Sequence, residues 1–333
     1  MTNKTPFHLI FGKFYGFIQQ QRAEAALEEL QPLVRRAEKL AYKGAFDGSR
    51  VLQECKSLQG SYDLKLLTNS RIARLLSSNS ANTSKVDACS RYFGTVFFDV
   101  TSFSRPFRPR VFDYSNTDVK KAAAKLLAAF IRTCQGRTMA LQGRIEALKY
   151  QEELVNLWLE HPPTLPPSKD QTSEQTAVAV YRGVSYRVNN LEGILTFAAQ
   201  AQHLANGMKK LVDAGIAQIQ ENDKSSTSPG LVATRSKILR LISSAPHSLR
   251  ETLAAEILGM AELIEARVTR FFQCEQDLGN LTAEEFSRVL EARQHLAAAY
   301  IDCLKCSAVA HKAQIDSTQQ LIELSQALLA KAH

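Results

Sequence analysis

A stretch of about 50 residues opening at Thr282 constrains the architecture most. Thr282 and Glu285 stand in the T-x-x-E spacing of a capping box, which starts a helix by satisfying two of its free backbone donors. At about 1.5 Å per residue, an unbroken helix of that length measures roughly 75 Å. A compact globule has no need of such a rod. Ala297, Ile301, Leu304, Ala308, Ile315, Ile322 and Leu329 recur at threes, fours and sevens and form one apolar seam. A seam of that period buries itself in a bundle or coiled coil. Its partner is either another helix of the same chain or the same helix of a second copy, giving a homodimer.

Upstream, most of the chain also reads as helix. Residues 19–45 are rich in Ala, Glu, Leu, Gln and Arg, with Pro32 kinking or restarting the helix and Gly44 and Gly48 as stop signals. A shorter amphipathic piece covers about 62–77, and Ser77 to Ser84 (SSNSANTS) reads as a polar loop. Asn116 or Thr117 caps a long helix to about Glu160, with Gly136 and Gly143 as its weak points. Residues 161–176 (HPPTLPPSKDQTSEQT) form a Pro/Ser linker. Asn190 caps a helix to about Glu221, followed by a polar turn at 223–230, a helix at 231–244 and another from Ser248 to about Leu278.

Two stretches depart from this period. Val178, Val180, Val184, Tyr186 and Val188 alternate, as a half-buried strand does, with Arg182 intruding on that face and Gly183 marking a bulge. Residues 91–114 (RYFGTVFFDVTSFSRPFRPRVFDY) are dense in aromatic and β-branched residues and read as two short strands, about 93–100 and 109–114. The expected fold is therefore mainly α: a helical bundle with long helices and a small β insertion. Residues 1–160 form a basic helical domain, 161–176 the linker, and 177–333 a strand followed by a C-terminal bundle.

The YRGVSYR core at 181–187 resembles the short YRGxxYR element of a family of small cyanobacterial proteins of unknown function. The resemblance covers about ten residues, implies no biochemical role, and points toward a cyanobacterial cytoplasm. Six cysteines scattered over 333 residues agree with a reducing, cytoplasmic setting.

The net charge of +8 is unevenly placed. Residues 1–170 hold 25 Lys/Arg against 16 Asp/Glu, whereas the remainder holds 16 against 17. An acidic partner is expected on the first half. No run of about 18 apolar residues exists to span a bilayer. Phe7, Ile10, Phe11, Phe14 and Phe17, with Lys13 beside them, recur at helical spacing near the N-terminus. That pattern reads either as a peripheral membrane contact or as a helix packed on its own protein.

The strongest binding pattern is at 91–114, where Arg91, Arg105, Arg108 and Arg110 alternate with Phe93, Phe107 and further aromatics. Guanidinium groups beside aromatic faces suit an acidic protein surface, and also phosphate contact with base stacking. Arg182 and Arg187 extend the same chemistry to the central strand. Cys303 and Cys306 have C-x-x-C spacing with His311 five residues on, yet zinc needs further ligands from elsewhere. Two small side chains flanking a helix seam explain them more simply. The chain has no GxxxxGK[ST] loop, GxGxxG, GxSxG or HExxH. The expected function is a non-enzymatic scaffold or adaptor that needs no cofactor and docks an acidic partner through the basic aromatic patch. A nucleic-acid-binding regulator using that patch is the alternative.

Overall fold

The computed structural model describes residues 6–57, 71–101, 117–160, 177–226, 249–276 and 281–332. They form six long helices: α1 (Pro6–Ser57), α2 (Arg71–Thr101), α3 (Thr117–Glu160), α4 (Ala177–Ser226), α5 (Leu249–Gln276) and α6 (Ala283–Ala332). The fold is a helical bundle, and the described residues contain no strand. None of the described helices is long and apolar enough to cross a membrane.

Cross-helix contacts fix the directions. Arg132 meets Glu38 and Gly143 meets Gly48, so α1 and α3 run parallel. Arg71 reaches Glu54 while Tyr92 reaches Glu29, so α2 runs antiparallel to α1. Thr318 meets Arg137 and Lys305 meets Glu152, which makes α3 and α6 antiparallel. By the same reasoning α5 is antiparallel to both α4 and α6. Two up-down-up three-helix bundles result, α1–α2–α3 and α4–α5–α6, joined along the α3–α6 pair. One core joins Leu30, Val34, Phe93, Leu127 and Phe130 to Leu321 and Ile322 near the far end of α6. The other joins Leu148, Val155 and Trp158 of α3 to α4, α5 and the first half of α6. Each core therefore extends across the α3–α6 seam: α6 adds Leu321 and Ile322 to the first, and α3 adds Leu148, Val155 and Trp158 to the second. The buried seam of α6, from Ala297 and Leu304 to Ile315 and Ile322, is covered within this chain.

The capping box is formed as expected. The Thr282 N–H donates to Glu285 Oε2 at 2.8 Å, and the Glu285 N–H donates to Thr282 Oγ1 at 3.2 Å.

The β insertion is not formed where the structure describes it. Residues 93–100 belong to α2 and 177–188 to α4; 109–114 lie outside the described residues. A β-branched or aromatic residue costs a helix at most about 0.7 kcal/mol. Burying one Phe gains about 1.5–3 kcal/mol, and Phe93 is fully buried against Phe130, ring centroids 5.5 Å apart. With 93–100 helical, a strand at 177–188 has no described edge to pair with and would leave its backbone groups without partners. Extending α4 upstream satisfies them within the helix.

The expected loop at 77–84 is also helix, and its polar residues are an interface. Ser78 Oγ donates to Asp47 Oδ2 at 2.6 Å, and Asn79 Nδ2 donates to the Gly44 carbonyl at 2.8 Å. Their hydrogen bonds to α1 replace the apolar signal that a buried helix face ordinarily shows. Pro32 lies on the exposed side of α1, which continues through it.

Gly44 and Gly48 do not stop α1, and α3 is unbroken at Gly136 and Gly143. Two of these glycines mark a close approach of the helices instead. A Cβ on Gly48 would stand 2.8 Å from the Gly143 carbonyl oxygen, and one on Gly143 would stand 2.8 Å from Ala45 Cα. Backbone lies on the other side in both cases, so no side chain can turn aside. Gly136 differs: its Cβ would make ordinary contact with Ala41 at 3.8 Å. Gly143→Ala should therefore destabilise the protein by about 1–3 kcal/mol through overpacking. Gly136→Ala should be neutral or stabilising by up to about 1 kcal/mol through helix propensity. Urea unfolding of the two variants checks this, and equal effects would remove the close-approach account.

Candidate functional site

The structure separates the residues of the expected patch. Arg105, Phe107, Arg108 and Arg110 lie outside the described residues. Arg182 and Arg187 sit on the helical backbone of α4 rather than on a strand, and their side chains are likewise outside the description. Arg91 is exposed on α2 and ion-paired with Asp87 one turn earlier. Phe93 requires a correction. It is a core residue, fully buried against Phe130, so no partner reaches it. Its neighbour Tyr92 is exposed and donates a hydrogen bond to Glu29 on α1 at 2.7 Å, an interaction that raises the phenol pKa.

A basic aromatic face does occur, on α1. Tyr42 and Phe46 are the most exposed large apolar side chains described, at 65% and 58%. They stand four residues apart and so project from one side of the helix. Arg35, Arg36, Lys39 and Lys43 are exposed around them, and the Arg50 guanidinium lies 5.5 Å from the Phe46 ring centroid. Glu38 is spoken for by a bidentate pairing with Arg132 of α3, at 2.8 and 2.9 Å. Asp47 is turned inward to Ser78. The two carboxylates within this stretch are thus withdrawn from the face, which is left cationic. Sequence reasoning missed it because residues 41–47 read as the end of a helix. The signal that could have found it was an i, i+4 aromatic pair with cations at every turn.

Beneath the surface, a polar layer crosses the junction of the two bundles. Arg137 of α3 is buried and gives both terminal nitrogens to Glu251 of α5, at 2.7 and 2.9 Å. Its Nε meets Asp87 of α2 at 2.6 Å, and Nη1 also donates to Thr318 Oγ1 of α6 at 2.7 Å. Burial acts to lower the Arg137 pKa, but the Glu251 hydrogen bonds and the two carboxylate charges outweigh it and raise the pKa. His311 lies close by on α6, with Nδ1 3.0 Å from Gln314 Oε1. Burial pushes its pKa down to about 4 against the Gln314 hydrogen bond, with Arg144 and Arg137 lowering it further and Asp87 raising it.

Cys303 and Cys306 are buried on the α6 seam. Burial raises both thiols, Cys303 to about 12, which makes it a poor nucleophile at neutral pH. Ser307 donates to the Cys303 carbonyl and His311 is engaged with Gln314. Among the described residues, no three His, Cys, Asp or Glu side chains gather as a metal site.

Two outcomes follow for the polar layer. Arg137→Met should cost about 3–5 kcal/mol, because Asp87 and Glu251 keep their charges with the shared cation gone. Chemical denaturation measures this, and a loss near zero would contradict it. For His311, the folded pKa lies below the ordinary 6.5. The neutral ring's contribution is therefore complete above pH 6.5 and is lost as pH falls toward 4, by about 3 kcal/mol. Between pH 7.5 and 4.5, wild type should lose more stability than His311→Gln; matching losses would refute the linkage. The chain matches no protein-family model, no curated protein and no solved structure.

Proposed function

We propose that the chain is a non-enzymatic scaffold or adaptor protein that docks an acidic protein surface on the exposed face of α1. The observation that carries this reading is the Tyr42–Phe46 pair, solvent-facing on a helix whose opposite side is locked into the core. Leaving two aromatic rings in water forgoes their burial, and aromatic side chains framed by arginine are common anchors of protein interfaces. Lys39, Lys43, Arg35 and Arg36 supply the charge that steers an acidic partner onto them. The face stands on a helix packed against α2 and α3, so docking requires little ordering of the scaffold itself.

Nucleic acid is the alternative occupant. It is less favoured on α1 because Glu24, Glu28 and Glu29 are exposed farther along the same helix, where a phosphate backbone following it would meet repulsion. An acidic protein contacts a shorter patch and avoids them.

The test uses the full chain carrying Tyr42→Ser and Phe46→Ser, tagged and purified beside wild type, with and without nuclease. Both side chains are exposed, so stability should stay within about 0.5 kcal/mol of wild type. Net-acidic proteins that copurify with wild type after nuclease should be depleted from the variant. Partners retained in full by the variant would overturn the placement of the site. Partners lost on nuclease treatment would exchange the protein reading for the nucleic-acid one.

A further inference from the structure

A different feature lies away from the α1 face, where α2, α3, α5 and α6 converge. A cleft of about 460 Å³ opens there, within the roughly 300–1,000 Å³ range of small-molecule sites. Leu76, Val268 and Phe272 form its apolar wall, and the hydroxyls of Ser77, Ser80, Ser84 and Thr269 supply polar groups around it. Arg144 of α3 and Glu265 of α5 bring opposite charges to the same cleft. Unlike Arg137, neither forms an ion pair or side-chain hydrogen bond among the described residues. Both resist being charged there: burial lowers the Arg144 pKa and raises that of Glu265, with Glu262 adding to the rise and Arg144 opposing it.

Gln151 gives an independent indication. It lines the cleft, is 8% exposed, and donates its amide to the Tyr300 hydroxyl. Its carbonyl Oε1 is buried with no hydrogen-bond partner. An unpaired buried acceptor costs about 1–3 kcal/mol, a cost that a ligand's donor would remove.

We propose that this cleft binds a small zwitterion of the amino-acid class with an apolar side chain. Arg144 holds its carboxylate, Glu265 and Gln151 Oε1 take its ammonium, and Leu76, Val268 and Phe272 take the side chain. The pairing of charges selects this class. A simple anion leaves Glu265 unpartnered and repelled, and a simple cation does the same to Arg144. A zwitterion satisfies both without changing the charge of the site, and desolvated, charge-assisted contacts are the strong ones.

Trp158 provides the readout. It is the chain's one tryptophan, and Phe272, which lines the cleft, packs edge-on against it at 5.5 Å. Fluorescence of the full chain at pH 7 is titrated with L-leucine and L-methionine, and with two truncated analogues of leucine. Leucinamide lacks the carboxylate and 4-methylpentanoate lacks the ammonium. Expected is a saturable response to the amino acids, with each analogue at least about tenfold weaker. Arg144→Gln should bring leucine and leucinamide to equal affinity, and Glu265→Gln should do so for leucine and 4-methylpentanoate. A merely structural role for either residue would not produce that matched loss of discrimination. The proposal is overturned by no saturable response in wild type up to about 10 mM, a concentration ceiling weaker than the millimolar affinities of poor ligands. Analogues that bind as well as leucine would overturn it too, as would inorganic phosphate competing with leucine on equal terms.

Discussion

The antiparallel pairing of α3 and α6 is what joins the two halves of this fold, and Arg137 sits within that junction. Its guanidinium meets Asp87 of α2, Glu251 of α5 and Thr318 of α6, so one side chain of α3 ties together helices from both bundles. Apolar contacts make up most of each bundle core, but they are non-directional and set the relative rotation of the bundles weakly. A bidentate arginine with further fixed partners is directional. The desolvation of three charges takes back much of the energy the pairing supplies, so the cluster contributes alignment more than net stability. His311, neutral and bound to Gln314 beside it, keeps another positive charge out of the layer at neutral pH.

How much was legible in the chain follows from which forces leave a local pattern. The capping box at Thr282 and Glu285, the seam of α6 and the start of α3 at Thr117 are written in residues close in sequence, and the structure forms all three. The strand reading failed because alternation in 177–188 and aromatic density in 91–100 describe local preference only. Preference is worth tenths of a kcal/mol per residue and yields to packing such as that of Phe93 on Phe130. Glycine misled for a related reason. Gly48 and Gly143 look like helix stops until α1 and α3 are laid side by side, when they become the points where two backbones touch. The polar run 77–84 was read as a loop because its hydrogen-bonding partners, Asp47 and Gly44, are more than thirty residues away.

The basic character of the proposed docking face was legible in composition, but its place was not. An excess of Lys and Arg over residues 1–170 indicated a basic first half, and α1 carries a basic face with exposed aromatics. What no local pattern reveals is which aromatics are spared by the core. Phe93 and Phe46 both sit on helices beside arginines, yet one is fully buried and the other is 58% exposed. The difference is that Phe93 lies where α2 meets α3, opposite Phe130, while Phe46 is on the side of α1 away from its neighbours. Exposure is a property of the assembled bundle.

The same contrast separates the two arginines of α3 that point into the junction. Arg137 and Arg144 are seven residues apart, two helical turns, and so lie on nearly the same face. Arg137 meets a carboxylate from each of two helices. Arg144 lines the cleft together with Glu265, whose charge acts on it, and Gln151 there is left with an unpaired carbonyl. Helix geometry would repeat the closed arrangement if the helices stayed equally close. Where α5 runs on to Glu265, Val268 and Phe272, a cleft separates it from the α2 serines, and that gap is where the polar layer stops being structural and becomes a place for a ligand.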